Sequence, residues 1–374
     1  MARVSLILTF IISLLSISNL YSQLFTCLPR IPKDTIIIEQ IWNRADHNAF
    51  TDLEYYKKHF YCSFREGDGH LPGTDSLLGE VCIIRSRKAD EWELIKRFTS
   101  KKYDLRDSRM SITPDGRLML LVSGIEWKAT SMTTQETFVS FSEDGINFSD
   151  LMPVVLEDNI RGKWNLIWTL AWTDSVAYAV LHQRNKPNNT WYAYLLKTYD
   201  GISYYKVNKW EIGPKPTEAR IRFTPNGRMV ALVRIEPGMN GQFGVSSYPF
   251  TEWEWFDTGL RLGGPNFHVI DDHTILIGSR FYDQTTPYKR PRKGQEFKNQ
   301  KMGLCIADDK GNISKTLELI SDEDCSYPGI ILLKKNRLFI SYYSSHEGKA
   351  KIYLLRTRLA TLLNSMKDKE IIEQ

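Results

Sequence analysis

Short apolar alternations recur along the sequence, each just after a polar turn: HFYCSFRE from residue 59, RLMLLVSG from 117, VAYAVLHQ from 176, RMVALVRI from 228, TILIGSRF from 274 and RLFISYYS from 337. Alternation with period two marks a half-buried strand, and repetition at a long fixed spacing marks a chain built from copies of one supersecondary unit. Each alternation is preceded by another apolar stretch (NAFTDLEYY, SRMSITPDG, LIWTLAWTD, RIRFTPNG, PNFHVIDD and YPGIILLKKN), so six hairpins are expected. Two of the turns, TPDG (113–116) and TPNG (224–227), carry Asp-Gly or Asn-Gly, which readily supply the positive φ angles of a tight turn.

A second series is spaced independently. A Ser or Thr is followed six residues later by an aromatic at Ser86/Trp92, Ser142/Phe148, Thr198/Tyr204 and Ser247/Trp253, in steps of 56, 56 and 49 residues. In SEDGINF (142–148) and TYDGISY (198–204), Asp144 and Asp200 can accept backbone hydrogen bonds inside the turn while the aromatic packs underneath. These segments resemble the Asp-box turns of sialidases and related β-propellers. Six units of roughly 56 residues fill ~340 residues, and four strands per unit is the blade pattern. The expectation is an all-β chain: a six-bladed β-propeller of four-stranded antiparallel blades over residues 23–374, with a short C-terminal tail that reads as a short helix. TIIIEQIW (35–42) precedes the first hairpin and would complete the last blade, closing the ring and removing its open edge.

Composition excludes several classes. With 42% hydrophobic and 25% charged residues the chain is neither disordered, collagen-like nor a coiled coil. The excess of 49 basic over 44 acidic residues favours an anionic ligand but lacks the charge stripe of a nucleic-acid binder, so no nucleic-acid partner is expected. Residues 1–22 (MARVSLILTFIISLLSISNLYS) have a basic start at Arg3, an apolar run and a small Ser22, the pattern of a cleavable secretory signal. A secreted or periplasmic protein with no membrane span after signal removal is expected. Five cysteines (Cys27, Cys62, Cys82, Cys305, Cys325) leave one over if two bridges form, with Cys62–Cys82 the first candidate pair.

In a propeller, the start of each innermost strand and the end of the next open onto one face around the axis. Strand starts then supply His47, Asn48, Asp52, Arg106, Asp107, Trp168, Glu218, Asn266, His268 and Tyr327, and strand ends supply Arg65, Glu66, Asp68, His70, His182, Arg234, Arg280, Asp283, Tyr343 and His346. Arginines, carboxylates and a tyrosine at one mouth are costly to desolvate unless they pair with each other or with an anionic ligand. His346 and Glu347 in SSHEG lack the His/Cys spacing of a zinc site, so neither a metal site nor a cofactor is expected. No phosphate loop, nucleotide fingerprint or Ser-His-Asp hydrolase motif is present.

Across residues 40–358 the segments HNAFTDL, FREGDGH, DLRD and SYYSSHEGKAKIYL make the chain resemble bacterial exported sialidase-like proteins. The hairpin TEARIRFTPNGRMVALVR is similar to the sialidase hairpin carrying a catalytic glutamate and a carboxylate-binding arginine, here Glu218 and Arg234. The resemblance implies Tyr327 in DCSYPG as nucleophile, Glu218 as its base, an acid/base carboxylate in FREGDGH, where Glu66 and Asp68 are on offer and Asp68 is preferred, and a carboxylate clamp of Arg234, Arg280 and Arg106 or Arg65, with His47, Asn48 and His346 as substrate contacts. At the first blade HNAFTDL (47–53) stands where sialidases carry an Arg-Ile-Pro segment. The activity implied is an exported exo-α-sialidase-like glycoside hydrolase acting on terminal sialic acid or a related acidic sugar. A non-catalytic glycan-binding propeller of the cell surface is the other reading that such a fold allows.

Overall fold

A computed structural model of the chain describes residues 31–72, 78–129, 131–185, 190–282 and 300–368. The expected signal segment, residues 1–22, Cys27 and the strand-end candidate Asp283 lie outside the described residues. In chain order the strands are β1 (Ile37–Trp42), β2 (His47–Tyr56), β3 (His59–Gly67), β4 (Glu80–Ser86), β5 (Glu93–Phe98), β6 (Asp104–Ile112), β7 (Leu118–Lys128), β8 (Ser131–Ser142), β9 (Met152–Pro153), β10 (Val155–Leu156), β11 (Trp164–Trp172), β12 (Ala177–Asn185) and β13 (Thr190–Thr198). They continue as β14 (Ser203–Trp210), β15 (Pro216–Phe223), β16 (Met229–Ile235), β17 (Gln242–Ser246), β18 (Glu254–Asp257), β19 (Asn266–Val269), β20 (Ile275–Tyr282), β21 (Gln300–Ala307), β22 (Ile313–Glu318), β23 (Ser326–Leu333), β24 (Arg337–Ser344), β25 (Lys351–Arg358) and β26 (Lys367–Asp368). A helix, α1 (Leu359–Ser365), separates β25 from β26.

The all-β reading holds, but six separate four-stranded blades do not form. Among the described residues the strands hydrogen-bond into five sheets, and three of these have four strands: β2-β3-β4-β5, β15-β16-β17-β18 and β1-β25-β24-β23. A fourth sheet has five strands because β26 adds to the edge of β22, and the fifth runs through nine strands from β6 to β14. The cause lies in contacts that a hairpin repeat does not encode. Trp164 pairs in parallel with Gln135, and the Gln135 N–H donates to the Lys163 carbonyl at 3.2 Å, joining β11 to β8. β10 adds in parallel to the outer strand β14.

Several local expectations are met. The 113–116 and 224–227 turns have one geometry: Thr113 and Thr224 N–H donate to Arg117 and Arg228 carbonyls at 2.9 Å, and Gly116 and Gly227 sit at φ 82° and 83°. In the 142–148 turn, Asp144 Oδ1 accepts the Ile146 and Asn147 N–H groups at 2.8 and 2.7 Å, and Asp200 does the same for Ile202 and Ser203 at 2.7 and 2.8 Å. Gly145 is required there, because at φ 77° a Cβ would collide with the Tyr61 hydroxyl. β1 pairs with β25, so the first strand closes the sheet made by the end of the chain. The Cys62–Cys82 bridge is not formed: Cys62 faces Ile84 and Cys82 faces Phe64 across β3 and β4, and both are buried free thiols, as is Cys325.

Apolar faces of neighbouring sheets pack on one another. Between the β2–β5 sheet and the sheet holding β1 and β25, Phe60, Phe64, Phe339 and Leu354 are fully buried, each contributing about 1.5–3 kcal/mol of hydrophobic stabilisation. Strands β2, β6, β11, β15, β19 and β23 are neighbours in that order, and β23 returns to β2. This inner ring of short strands carries the polar residues discussed next.

Candidate functional site

Five of the inner strands share an irregularity. Pairing with the next strand skips two residues between Ala49 and Asp52 in β2, Arg106 and Arg109 in β6, Ile167 and Leu170 in β11, Thr217 and Arg220 in β15, and Ser326 and Gly329 in β23. A bulge re-aims side chains and shifts the inside/outside phase of the residues after it. The first skipped residues are Phe50, Asp107, Trp168, Glu218 and Tyr327, and four of the five have positive φ: 64° for Phe50, 52° for Asp107, 51° for Glu218 and 51° for Tyr327. Positive φ at bulky non-glycine residues costs free energy and concentrates at functional sites. The backbone thus gathers an aromatic, a carboxyl, a second carboxyl and a phenol.

Tyr327 and Glu218, separated by 109 residues, meet directly: the phenol donates to Glu218 Oε1 at 2.7 Å. Arg234 Nη1 donates to both Glu218 oxygens at 2.9 Å, and the Gly264 N–H donates to Oε2 at 2.8 Å. Glu236 anchors the same guanidinium through Nε at 2.8 Å. Behind the bulge, His182 Nε2 accepts the Ala219 N–H at 3.0 Å and so is neutral, in keeping with burial that lowers its pKa to about 4. Burial alone pushes the Glu218 carboxyl up, but the charge and hydrogen bonds of Arg234, with those of Tyr327 and Gly264, outweigh it and bring the pKa to about 2. Burial and the Glu218 charge raise Tyr327 well above the usual phenol value, opposed by Arg234 and Arg280. At rest the pair is therefore an ionised carboxylate and a neutral phenol. Gly264, at φ 59°, leaves room for this pair, since a Cβ would lie 2.7 Å from the Tyr327 ring. Gly264→Ala should therefore displace Tyr327 and break its hydrogen bond to Glu218 while the chain stays folded, checked by a crystal structure of the variant alongside circular dichroism.

Two residues of β6 complete the surroundings. The Arg109 guanidinium lies 4.3 Å from the Trp168 ring centroid and 5.7 Å from that of Tyr327, placing positive charge against the phenol's face. Arg106 and Arg109 are an odd number of residues apart and would point to opposite faces of a regular strand. The bulge between them puts Arg109 beside the axis, which no sequence period reveals. Asp107 sits in that bulge. Burial raises its carboxyl pKa, with Glu218 and Asp104 pushing the same way and Arg106 and Arg109 opposing.

The other expected residues divide. Arg280 donates through Nε to the Cys325 carbonyl at 2.7 Å and through Nη2 to the Tyr343 hydroxyl at 3.2 Å, with its guanidinium 5.9 Å from the Tyr327 ring. Arg106 packs 4.8 Å from the Phe50 ring and donates to the His70 carbonyl. Arg65 instead is fully buried, holding Asp104 Oδ1 at 2.8–2.9 Å and the Gly69 carbonyl at 2.8 Å, a structural ion pair. Asn48 is fully buried and bonds the Ala45 and Ala350 carbonyls, each at 2.8 Å, tying β2 to the chain before β25. Asp68 is exposed beyond the end of β3. His346 packs on Tyr353 at 4.9 Å and meets Ser344 Oγ at 3.0 Å. An Arg-Ile-Pro triplet does occur, at 30–32, but ahead of β1; Arg30 lies outside the described residues.

A third group adjoins Tyr327. His47 Nε2 and His70 Nδ1 both meet Asp324 Oδ2, at 2.8 and 2.7 Å, and the Tyr343 hydroxyl donates to Oδ1 at 2.7 Å. Phe50 packs against His70, Tyr327 and Tyr343 with ring centroids 5.2, 5.1 and 5.5 Å apart.

No protein-family model matches the sequence, and no curated protein sequence matches it. Solved structures do. A Dyadobacter fermentans protein of unknown function superposes with a TM-score of 0.66 at 15% identity, covering 88% of this chain and 99% of that one. Trypanosoma rangeli sialidase gives a TM-score of 0.63 at 10% identity over 88% of this chain and 60% of its own. Penicillium chrysogenum α-L-arabinanase gives 0.62 at 14% identity over 87% and 99%. The chain therefore has a β-propeller fold of the kind found in glycoside hydrolases such as sialidases and arabinanase. Identities this low establish the fold alone. Among the described residues no helix is long and apolar enough to cross a membrane.

Proposed function

We propose that this protein is an exported glycoside hydrolase that removes a terminal acidic sugar, sialic acid or a relative, from glycans. The observation that carries the reading is the Tyr327–Glu218–Arg234 constellation: a buried phenol donating at 2.7 Å to a carboxylate held ionised by a guanidinium. A carboxylate nucleophile would be repelled by the anionic group of such a sugar, whereas a neutral phenol is not. The Tyr327 oxygen attacks the anomeric carbon as the bond to the leaving oxygen breaks, and the phenol proton passes to Glu218. Asp107 donates a proton to the leaving oxygen. Water then attacks the glycosyl–tyrosine, Asp107 takes its proton, and Tyr327 recovers its own from Glu218. Asp107 takes the role expected of Asp68 because its carboxyl is drawn into the ring and its raised pKa keeps it protonated at higher pH. Arg234, Arg280 and Arg106 lie around Tyr327 to receive the substrate carboxylate.

Incubation with a panel of α-sialosides and other acidic glycosides tests the proposal. Release of free acidic sugar that is lost in Tyr327→Phe and in Glu218→Gln is expected. Cleavage of neutral arabinan oligosaccharides instead, or retention of acidic glycans without turnover, contradicts it; the latter outcome is that of a glycan-binding propeller. The Asp107 assignment has its own signature. Activity should fall on the alkaline side as Asp107 ionises, at a pH above the ordinary carboxylate range because its pKa is raised. Asp107→Asn should remove that limb and slow alkyl glycosides by roughly 100-fold or more, while aryl glycosides with good leaving groups are spared. Equal losses for both leaving groups would exclude Asp107 as the proton donor.

A further inference from the structure

His47 opens β2, His70 follows β3 and Asp324 precedes β23, so three elements deliver these side chains to one point. Their ligand atoms all lie within 4.8 Å of one another, with His47 and Asp324 buried and His70 half-buried. Asp324 is shared unequally: Oδ2 meets the two imidazole nitrogens, while Oδ1 takes the Tyr343 hydroxyl and lies 4.0 Å from Arg280 Nη2. One carboxylate oxygen facing two imidazoles, with the other fixed by outer donors, is how a metal-binding carboxylate is oriented. We propose that His47, His70 and Asp324 form a binding site for a divalent transition-metal ion, with an open position facing the mouth beside Tyr327.

The donor set selects the class of ion. Two imidazoles and one carboxylate suit zinc, iron(II), cobalt(II) or nickel(II), whereas calcium and magnesium favour all-oxygen shells. Three protein ligands leave a coordination position open, and the side chain of His70 is 25% exposed, which puts that position toward solvent. Phe50 touches His47, His70 and Tyr327, with ring centroids 5.8, 5.2 and 5.1 Å away, so the ion sits about one aromatic ring from the phenol. An anionic or hydroxyl group of the sugar is suited to fill the open position; this part of the inference rests on the glycosidase reading. Of the neighbouring cations, Arg106 lies 3.4 Å from Asp104 and Arg280 lies on the Oδ1 side of Asp324. Ligands 23 and 254 residues apart in sequence have no zinc-like spacing, so sequence alone gives no hint of the site.

The test is metal binding by the full chain, independent of activity. Protein stripped with a chelator is equilibrated with zinc(II) or cobalt(II), desalted, and its metal content measured by mass spectrometry, with the visible spectrum of the cobalt form as a second readout. One ion per chain is expected. His47→Ala, His70→Ala and Asp324→Asn should each weaken binding by roughly tenfold or more, while His59→Ala, at the half-buried start of β3, and His273→Ala, at an exposed site, should leave it intact. Failure of the wild-type protein to retain zinc or cobalt overturns the proposal whatever the variants do. So does stoichiometric binding that survives the combined His47→Ala, His70→Ala change in a folded protein. Sugar release without metal binding would remove this site and leave the glycosidase reading standing, and one bound ion without sugar release would do the reverse.

Discussion

Tyr327→Phe should abolish hydrolysis of the acidic glycoside, lowering kcat by about a thousandfold or more, the scale of loss when a nucleophile is removed. The substitution deletes one oxygen. Glu218 keeps Arg234 and the Gly264 N–H as partners, so the fold and the affinity for substrate should change little. The loss should therefore appear in kcat with KM nearly constant. Tyr343→Phe is the matching control: its hydroxyl donates to Asp324 and accepts from Arg280 rather than meeting Glu218, and it should retain far more activity. If both tyrosine variants behave alike, Tyr327 has no special chemical role.

The second large effect belongs to Arg234. Its guanidinium compensates Glu218 and is anchored by Glu236, all three largely buried with side-chain exposures of 12%, 11% and 22%. Arg234→Ala leaves the Glu218 charge without its main partner, which costs about 3–5 kcal/mol of stability at neutral pH and lowers Tm by many degrees. The sign of the pH dependence follows from Glu218. Its folded pKa, about 2, lies below the ordinary 4.5, so its contribution is fully present above about pH 5 and is lost as pH falls through 2. The stability gap between the parent and Arg234→Ala should narrow over that window. Arg234→Lys should restore most of the stability but weaken acidic-sugar binding about tenfold, because a point charge cannot replace a two-pronged contact. Lysine binding the sugar as well as arginine would remove the clamp.

Much of the site can be read from the sequence where chemistry and strand position coincide. Tyr327, Glu218, Arg234 and Arg280 follow from placing each hairpin's two arms on an axis, and the structure brings all four together. Asp68 is exposed and Asn48 bonds backbone carbonyls for a shared reason: position near a strand end says nothing about whether the side chain turns inward, outward or onto the backbone. Arg109 and the bulged setting of Asp107 are hidden because two residues of β6 stand against one of β7, and that single extra residue reverses the strand's phase after it. The same limit applies to the fold. Turn residues in SEDGINF and TPNG locate hairpins through local hydrogen bonds, whereas the Trp164–Gln135 pairing that fuses sheets depends on how neighbouring units meet in space. His47, His70 and Asp324 are each visible as polar residues near strand ends, but their convergence is a property of the closed ring.

The central claim, that Tyr327 bonds covalently to the anomeric carbon of an acidic sugar, is tested most directly by trapping the intermediate. An acidic glycosyl fluoride carrying a second fluorine beside the anomeric centre is mixed with the purified protein, and the intact mass is measured before peptide mapping. The account predicts a single added glycosyl unit on the peptide containing Tyr327, with none in Tyr327→Phe. Sugar release with no adduct and with inverted anomeric configuration, or an adduct mapped to a carboxylate, would contradict it.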